Sequence, residues 1–287
     1  MLTIFTICKP FTGHSHIIQF NALKSWTRLT PRPQIILFGH EPGADQVAEQ
    51  LGLQHVPELA RNPHGTPLLN HAFAQARQLA HHDILVYANA DIIFFDDLVA
   101  ATRRVRAAFA GPFLIIGQRA NFDQTELINF EDKDWPAKLR LRVAATGRLG
   151  AVVCKDYFVF TKPLFAQIPP FAVGRGNWDN WLVAEAHRQK IPVVDATPVL
   201  TAAHQNHTYA HLNGGGVASV IGPEARQNAT AGGGMHLVYG SASSWQLTAG
   251  GLKRRRWPAA LSFLVDLPRF LRLLQYLIFD SFFCSRR

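Results

Sequence analysis

Three short stretches of the 287-residue chain carry side chains suited to chemistry. The first, residues 83–97 (DILVYANADIIFFDD), runs from an apolar strand into Asn89-Ala90-Asp91. Asp91 then falls just beyond the strand's carboxyl end, the edge of an α/β sheet where ligands collect. A carboxylate there suits a divalent ion shared with a diphosphate, because Mg²⁺ or Mn²⁺ takes one or two carboxylates and fills its other positions with phosphate oxygens and water. Capping of the next helix by Asp91 or Asp96 is the plainer use. The second stretch is 171–181 (FAVGRGNWDNW). Gly174 and Gly176 allow a turn close to a ligand, Trp178 and Trp181 offer apolar faces for a sugar ring, and Asp179 could act as a general base. The plainer use makes Asp179 a helix N-terminal carboxylate and both Trp residues core. The third is 195–209 (DATPVLTAAHQNHTY), where His204 and His207 could ligate a metal as neutral imidazoles, although most of 13 histidines must do something simpler.

To hold these groups together the chain must build a sheet. Residues 2–8 and 34–38 are β-branched and aromatic runs closed by Lys9-Pro10 and Gly39, which predicts buried strands. Between them Ile17, Phe20, Leu23 and Trp26 fall at helical spacing over 16–29. Further helices are expected over 44–51, 68–80, 98–109 and 178–189, and further strands over 84–88, 113–117 and 157–160. Strands alternating with helices predict βαβ units and a mainly parallel sheet over residues 1–200. From 213 to 251 glycine is frequent and periodicity is lost, which predicts a long loop.

The order of these elements, the acidic step at Asp91 and the preceding loop Arg61-Asn62-Pro63-His64-Gly65-Thr66 resemble the nucleotide-sugar half of GT-A fold glycosyltransferases, particularly the family 2-like group, over residues 1–210. The chain departs from the family's DxD step by carrying Asn89 where the first Asp would stand. A single carboxylate makes a weaker ion site, while the Asn amide can still donate to a ribose or accept through its oxygen. The resemblance implies a nucleotide-sugar donor and a divalent ion, Mn²⁺ or Mg²⁺, held by Asp91 with His204 as first choice and His207 as second. It implies donor contacts from Lys9, Asn62, Asn89, Asp91 and Asp156, and Asp179 as the group that takes the acceptor hydroxyl's proton. Trp178 and Trp181 are the expected acceptor contacts. Arg119 and Arg175 suit a diphosphate because guanidinium binds phosphate through paired hydrogen bonds.

Composition sets outer bounds. At 48% apolar and 17% charged residues, the chain is neither collagen-like nor low-complexity nor a coiled coil. Cys8, Cys154 and Cys284 are odd in number and widely spaced, which argues against a disulfide framework or zinc finger and for a reducing, cytoplasmic setting. The apolar start MLTIFTICKPF has no basic region before it and reads as a strand. The phosphate-loop, dinucleotide and nucleophile-elbow signatures are absent. Of the net charge of +9, residues 253–287 supply +6. There Phe270, Leu273, Leu274, Leu277 and Ile278 share one helical face while Arg269, Arg272, Gln275 and Asp280 share the other. That pattern suits a helix lying on an anionic membrane surface, with Trp257 at headgroup depth; packing on the domain or on a second subunit is the plainer use. No nucleic-acid partner is expected.

The expectation is an α/β enzyme: a GT-A-like, mainly parallel sheet flanked by helices over 1–212, a glycine-rich loop over 213–252, and a basic amphipathic helical tail over 253–287. Its expected work is inverting, metal-assisted transfer of a hexose from a nucleotide-diphosphate donor to a hydroxyl of a glycan or lipid-linked acceptor, from a peripheral position on the inner face of the membrane. Two alternatives stand beside it. A sugar nucleotidyltransferase would need a glycine- and arginine-rich phosphate loop, which residues 3–15 lack; a non-catalytic adaptor that keeps the fold is suggested by Asn89.

Overall fold

The computed structural model describes residues 1–152, 154–208, 219–234 and 242–255. The chain opens β1 (Leu2–Ile7), α1 (Gly13–Thr27), β2 (Gln34–Phe38), α2 (Ala44–Leu51) and β3 (Gln54–Val56). It continues through α3 (Leu69–Leu79), β4 (Ile84–Ala88), β5 (Ile92–Ile93), α4 (Asp97–Ala108), β6 (Leu114–Ile116) and β7 (Arg119–Phe122). Then come α5 (Trp135–Thr146), β8 (Arg148–Leu149), β9 (Tyr157–Thr161), α6 (Trp178–Arg188), β10 (Val193–Asp195) and β11 (Ala202–Gln205). The described part ends with α7 (Pro223–Ala231), β12 (Trp245–Thr248) and β13 (Gly251–Arg254).

Among the described residues nine strands form one sheet in the order β13-β12-β10-β6-β9-β4-β1-β2-β3. It is mainly parallel; β9 runs against β4 and β6, and β13 against β12. Alternation along each central strand feeds two cores, as the two-residue side-chain period requires. Ile4, Ile35, Leu37, Val86 and Val159 face one core with Trp26, Val47 and Leu98 from α1, α2 and α4. Phe5, Ile36, Tyr87, Phe158 and Phe160 face the other with Phe73 and Leu182 from α3 and α6. The expected α/β architecture, a mainly parallel sheet flanked by helices, is the one observed.

A second sheet, β5-β11-β7-β8, sits beside the carboxyl edge of the first with α5 against it. Its strands are two to four residues long, too short to leave a periodic signal, and α5 buries only Leu139 and Val143. The expected loop over 213–252 is interrupted by α7 and β12, and β12 lies parallel to β10 in the main sheet. The folded body therefore does not end at 212. Glycine-flanked strands of four residues show no period, yet Trp245 anchors this hairpin against Phe109 with ring centroids 5.4 Å apart. Lys253 and Arg254 belong to β13, and Arg255, just past it, donates to Asp195 at 2.7 Å, so these three are part of the folded body and not of the tail. Residues 256–287, with the expected amphipathic helix, lie outside the described residues. No helix among the described residues is long and apolar enough to cross a membrane.

Candidate active site

Asp91 does not cap a helix. The two-residue β5 follows it, and β5 pairs antiparallel with β11 in the register His204↔Ile92. That pairing brings a carboxylate at the end of β4 beside a histidine 113 positions later. Polar groups lock the arrangement from below. Gln205, fully buried, donates from Nε2 to the carbonyls of Ile18 at 2.7 Å and Asp91 at 3.2 Å, and Asn21 donates to its Oε1 at 3.0 Å. Trp26 donates from its indole to the Ile92 carbonyl at 2.8 Å. On the far side, Trp178 packs edge-on against Tyr87, centroids 5.4 Å apart, which sets the start of α6, and with it Asp179, beside the end of β4.

The result is a cleft of about 200 Å³ at the carboxyl edge of the sheet. Lys9, Asn89, Asp91, Arg119, Asp156, Trp178, Asp179, His204 and His207 all line it, joined by Arg175. Residues far apart in sequence thus converge on one space. Gln19 fixes its floor: Oε1 accepts from the Lys9 N–H at 2.7 Å and Nε2 donates to the Lys9 carbonyl at 3.0 Å.

Asp91, His204 and His207 form a three-ligand cluster whose nearest donor atoms all lie within 4.8 Å of one another. Asp91 Oδ2 is 3.1 Å from His207 Nε2 and 3.9 Å from His204 Nε2. Burial alone would raise the Asp91 pKa, but His204, the His207 hydrogen bond and Lys9 outweigh it and hold the carboxyl well below its usual range. Burial pushes the His204 imidazole down. An ionised carboxylate beside a neutral imidazole is the state that metal ligation needs. Asp91 Oδ1 and His204 Nδ1 are both buried with no hydrogen-bond partner, which is costly unless something else satisfies them. His207 Nδ1 lies 3.1 Å from the Thr208 carbonyl, a contact that would hold the ring in the ligating tautomer once a cation took the place of the Nε2 proton that now bonds Asp91. On donor chemistry and on these orphaned atoms the cluster fits a divalent cation.

Asn89 has a definite partner. Its Nδ2 donates to Asp156 Oδ1 at 2.7 Å, its backbone N–H to the Asp156 carbonyl at 2.9 Å, and Arg119 donates to Asp156 Oδ2 at 2.6 Å. An aspartate at 89 would set two carboxylates against each other. Asn89→Asp is therefore expected to lower stability by about 1–3 kcal/mol at pH 8. The carboxylate pair would have its proton affinity raised by folding, so the deficit is present at high pH and fades as pH falls and the pair takes up a proton. Thermal unfolding at pH 5 and pH 8 measures it.

Asp179 keeps part of its surface open to the cleft although protein surrounds it. Burial, helped by Asp156, raises its pKa to about 6, against hydrogen bonds from the backbone N–H groups of Asn180 and Lys155. A carboxyl group with that affinity is half-ionised near pH 6 and mostly ionised at neutral pH, where it can accept a proton as a general base does.

Two expected contacts lie elsewhere. Asn62 holds its own loop, accepting from the N–H groups of His64 and Thr66, both at 2.9 Å, and it donates to Glu224 at 2.7 Å. Trp181 packs on Phe171, centroids 5.4 Å apart, as part of the core. Arg175 lines the cleft but is paired with Glu224 at 2.7 Å, so α7 ties the 61–66 loop to the 174–176 turn. The buried Lys155 and Gln19 are cleft residues that sequence reasoning passed over, as it passed over Gln205, which supports the cleft from beneath. Lys155 adjoins Asp156, which was the available signal; a buried glutamine leaves none.

No protein-family model matches the sequence, and comparison with curated proteins finds no match. Among solved structures the chain is similar to a mannosyltransferase from Pyrobaculum calidifontis in complex with GDP-Man and Mn²⁺, at 12% identity and TM-score 0.45 over 71% of this chain and 56% of that one. This chain thus spans little more than half of that enzyme's length. It is also similar to glucosyl-3-phosphoglycerate synthase from Mycobacterium tuberculosis in complex with Mn²⁺, UDP and phosphoglyceric acid, at 14% identity and TM-score 0.45 over 90% and 87% of the two chains. A cytidylyltransferase from Leptospira borgpetersenii gives 11% and 0.44 over 68% and 75%. Likeness at this level speaks for neither substrate nor reaction, which the side chains of the cleft must supply.

Proposed function

We propose that the chain is a glycosyltransferase that moves a sugar from a nucleotide-diphosphate donor to an acceptor hydroxyl. The observation that carries this reading is the meeting, in one cleft, of a cation-ready cluster (Asp91, His204, His207) with a carboxyl group poised near pH 6 (Asp179). A divalent ion held by that cluster would neutralise charge on a departing diphosphate. Two imidazoles beside one carboxylate favour a transition ion such as Mn²⁺ over Mg²⁺, which prefers an all-oxygen shell. Lys9, Lys155, Arg119 and Arg175 give the lining four permanent cations against three aspartates, a balance suited to an anionic donor. Trp178 supplies an apolar wall for a sugar ring. Asp179 takes the proton of the acceptor hydroxyl as that oxygen attacks, so a single displacement inverts the anomeric carbon.

The tail supports a peripheral position on an anionic membrane, because its basic residues and apolar face suit lipid. A glycan or lipid-linked acceptor at that surface follows from the same pattern.

Thermal unfolding of the full chain with a panel of nucleotide sugars, with and without Mn²⁺, tests the reading. A donor that raises the unfolding temperature only with Mn²⁺, and from which sugar is then released or transferred, is the expected outcome. Silence towards every donor would overturn it.

A further inference from the structure

At the opposite edge of the main sheet, where β4 begins and β9 ends, a second cavity of about 830 Å³ opens beside the C-terminal ends of α3 and α4. That volume is within the range of small-molecule sites. It shares no lining residue with the first cleft. Its charged lining is Arg77, Arg106 and Lys162, with Asp83 exposed at the rim. Among the described residues none of the three cations forms an ion pair with a carboxylate. Arg106 and Lys162 have a structural use: Arg106 donates to the Ala110 carbonyl at 2.9 Å and Lys162 to the Ala80 carbonyl at 3.0 Å, each at the end of a helix.

Arg77 has no such use. Its Nε is buried without a hydrogen-bond partner. Thr161 stands in the same lining, 6% exposed, and its hydroxyl is also buried without a partner. Two orphaned polar atoms in one cavity wall are costly unless a ligand or water satisfies them. A positive surplus and a free hydroxyl share one natural complement, an oxyanion, which accepts from both. Pro112 and Pro163 add apolar wall beside them.

We propose that this cavity binds a small phosphate-bearing molecule, its phosphate held by Arg77, Lys162 and the Thr161 hydroxyl and its carbon frame against Pro112 and Pro163. The site stands whether or not the chain is a transferase, since neither its residues nor its test involve sugar transfer.

Isothermal titration of the full chain with inorganic phosphate tests it. Arg77→Ala and Thr161→Val should each weaken phosphate binding by about tenfold or more, Thr161→Ser should retain it, and Arg119→Ala in the first cleft should leave this binding event unchanged. Thermal unfolding without phosphate establishes that each variant is folded, and Lys162→Gln replaces Arg77→Ala if the latter is not. No heat from the wild-type chain, heat unaffected by Arg77→Ala and Thr161→Val, or heat lost through Arg119→Ala alone would each overturn the proposal. Flotation on phosphatidylcholine vesicles containing phosphatidic acid identifies the source of the phosphate. Vesicle binding that Arg77→Ala abolishes and free phosphate does not displace would place it on a lipid and overturn the small-molecule assignment.

Discussion

Asp179→Asn is expected to lower turnover by about 10²–10⁴-fold, the usual worth of a positioned base, with donor binding intact. Asn is nearly the same size and still accepts the backbone hydrogen bonds at the start of α6, but it cannot take a proton. In the wild type the base works when ionised, so kcat/KM should fall as pH drops through about 6, and the variant should lose that limb. The stability sign runs the other way from that of Asp91, whose pKa folding lowers. Folding raises this pKa above its unfolded value, so ionised Asp179 costs stability at pH 8, and the cost fades as pH falls through about 6. The variant should therefore unfold no lower than the wild type at pH 8. Turnover near wild type would remove Asp179 from the chemistry.

Asp91→Asn should abolish the Mn²⁺-dependent response to donor. It removes the one carboxylate of the cluster and leaves two imidazoles. The expected loss of Mn²⁺ affinity exceeds the roughly 10–100-fold that removal of an outer-shell partner costs. His204→Ala, which removes a ligand but keeps the charge, should fall between the variant and the wild type. Titration of Mn²⁺ followed by its electron paramagnetic resonance signal reads this directly, without assuming any sugar. Equal Mn²⁺ affinity in wild type and Asp91→Asn would sink the metal role.

Much of the cleft was legible because its parts sit at the ends of strongly apolar strands. The run Ile84–Ala88 is nearly all buried, so its end, and therefore Asn89 and Asp91, could be placed on the carboxyl edge of a sheet. The same logic placed Asp179, two residues into a helix whose apolar positions recur at 182, 183 and 186. What could not be read was pairing. Nothing in the sequence says that β5 lies against β11, yet that contact alone brings His204 to Asp91. That Asn62 and Trp181 do not line the cleft was hidden for a related reason. An Asn in a turn serves its own backbone as readily as a ligand, and two Trp residues three apart on a helix share a face whose outer edge alone reaches the cleft. Asn89 is the sharpest case: as a lone letter it reads as a damaged ion site, but beside Asp156 it is the neutral donor that this carboxylate requires.

The antiparallel turn into β13 fixes which way the rest of the chain is launched. Because β13 runs against β12, it heads toward the amino ends of the parallel strands, ending level with Trp245, and the Arg255–Asp195 pair fastens its end. The described chain thus ends heading away from the cleft. The direction of one edge strand thereby decides by which side of the sheet the chain leaves the folded body.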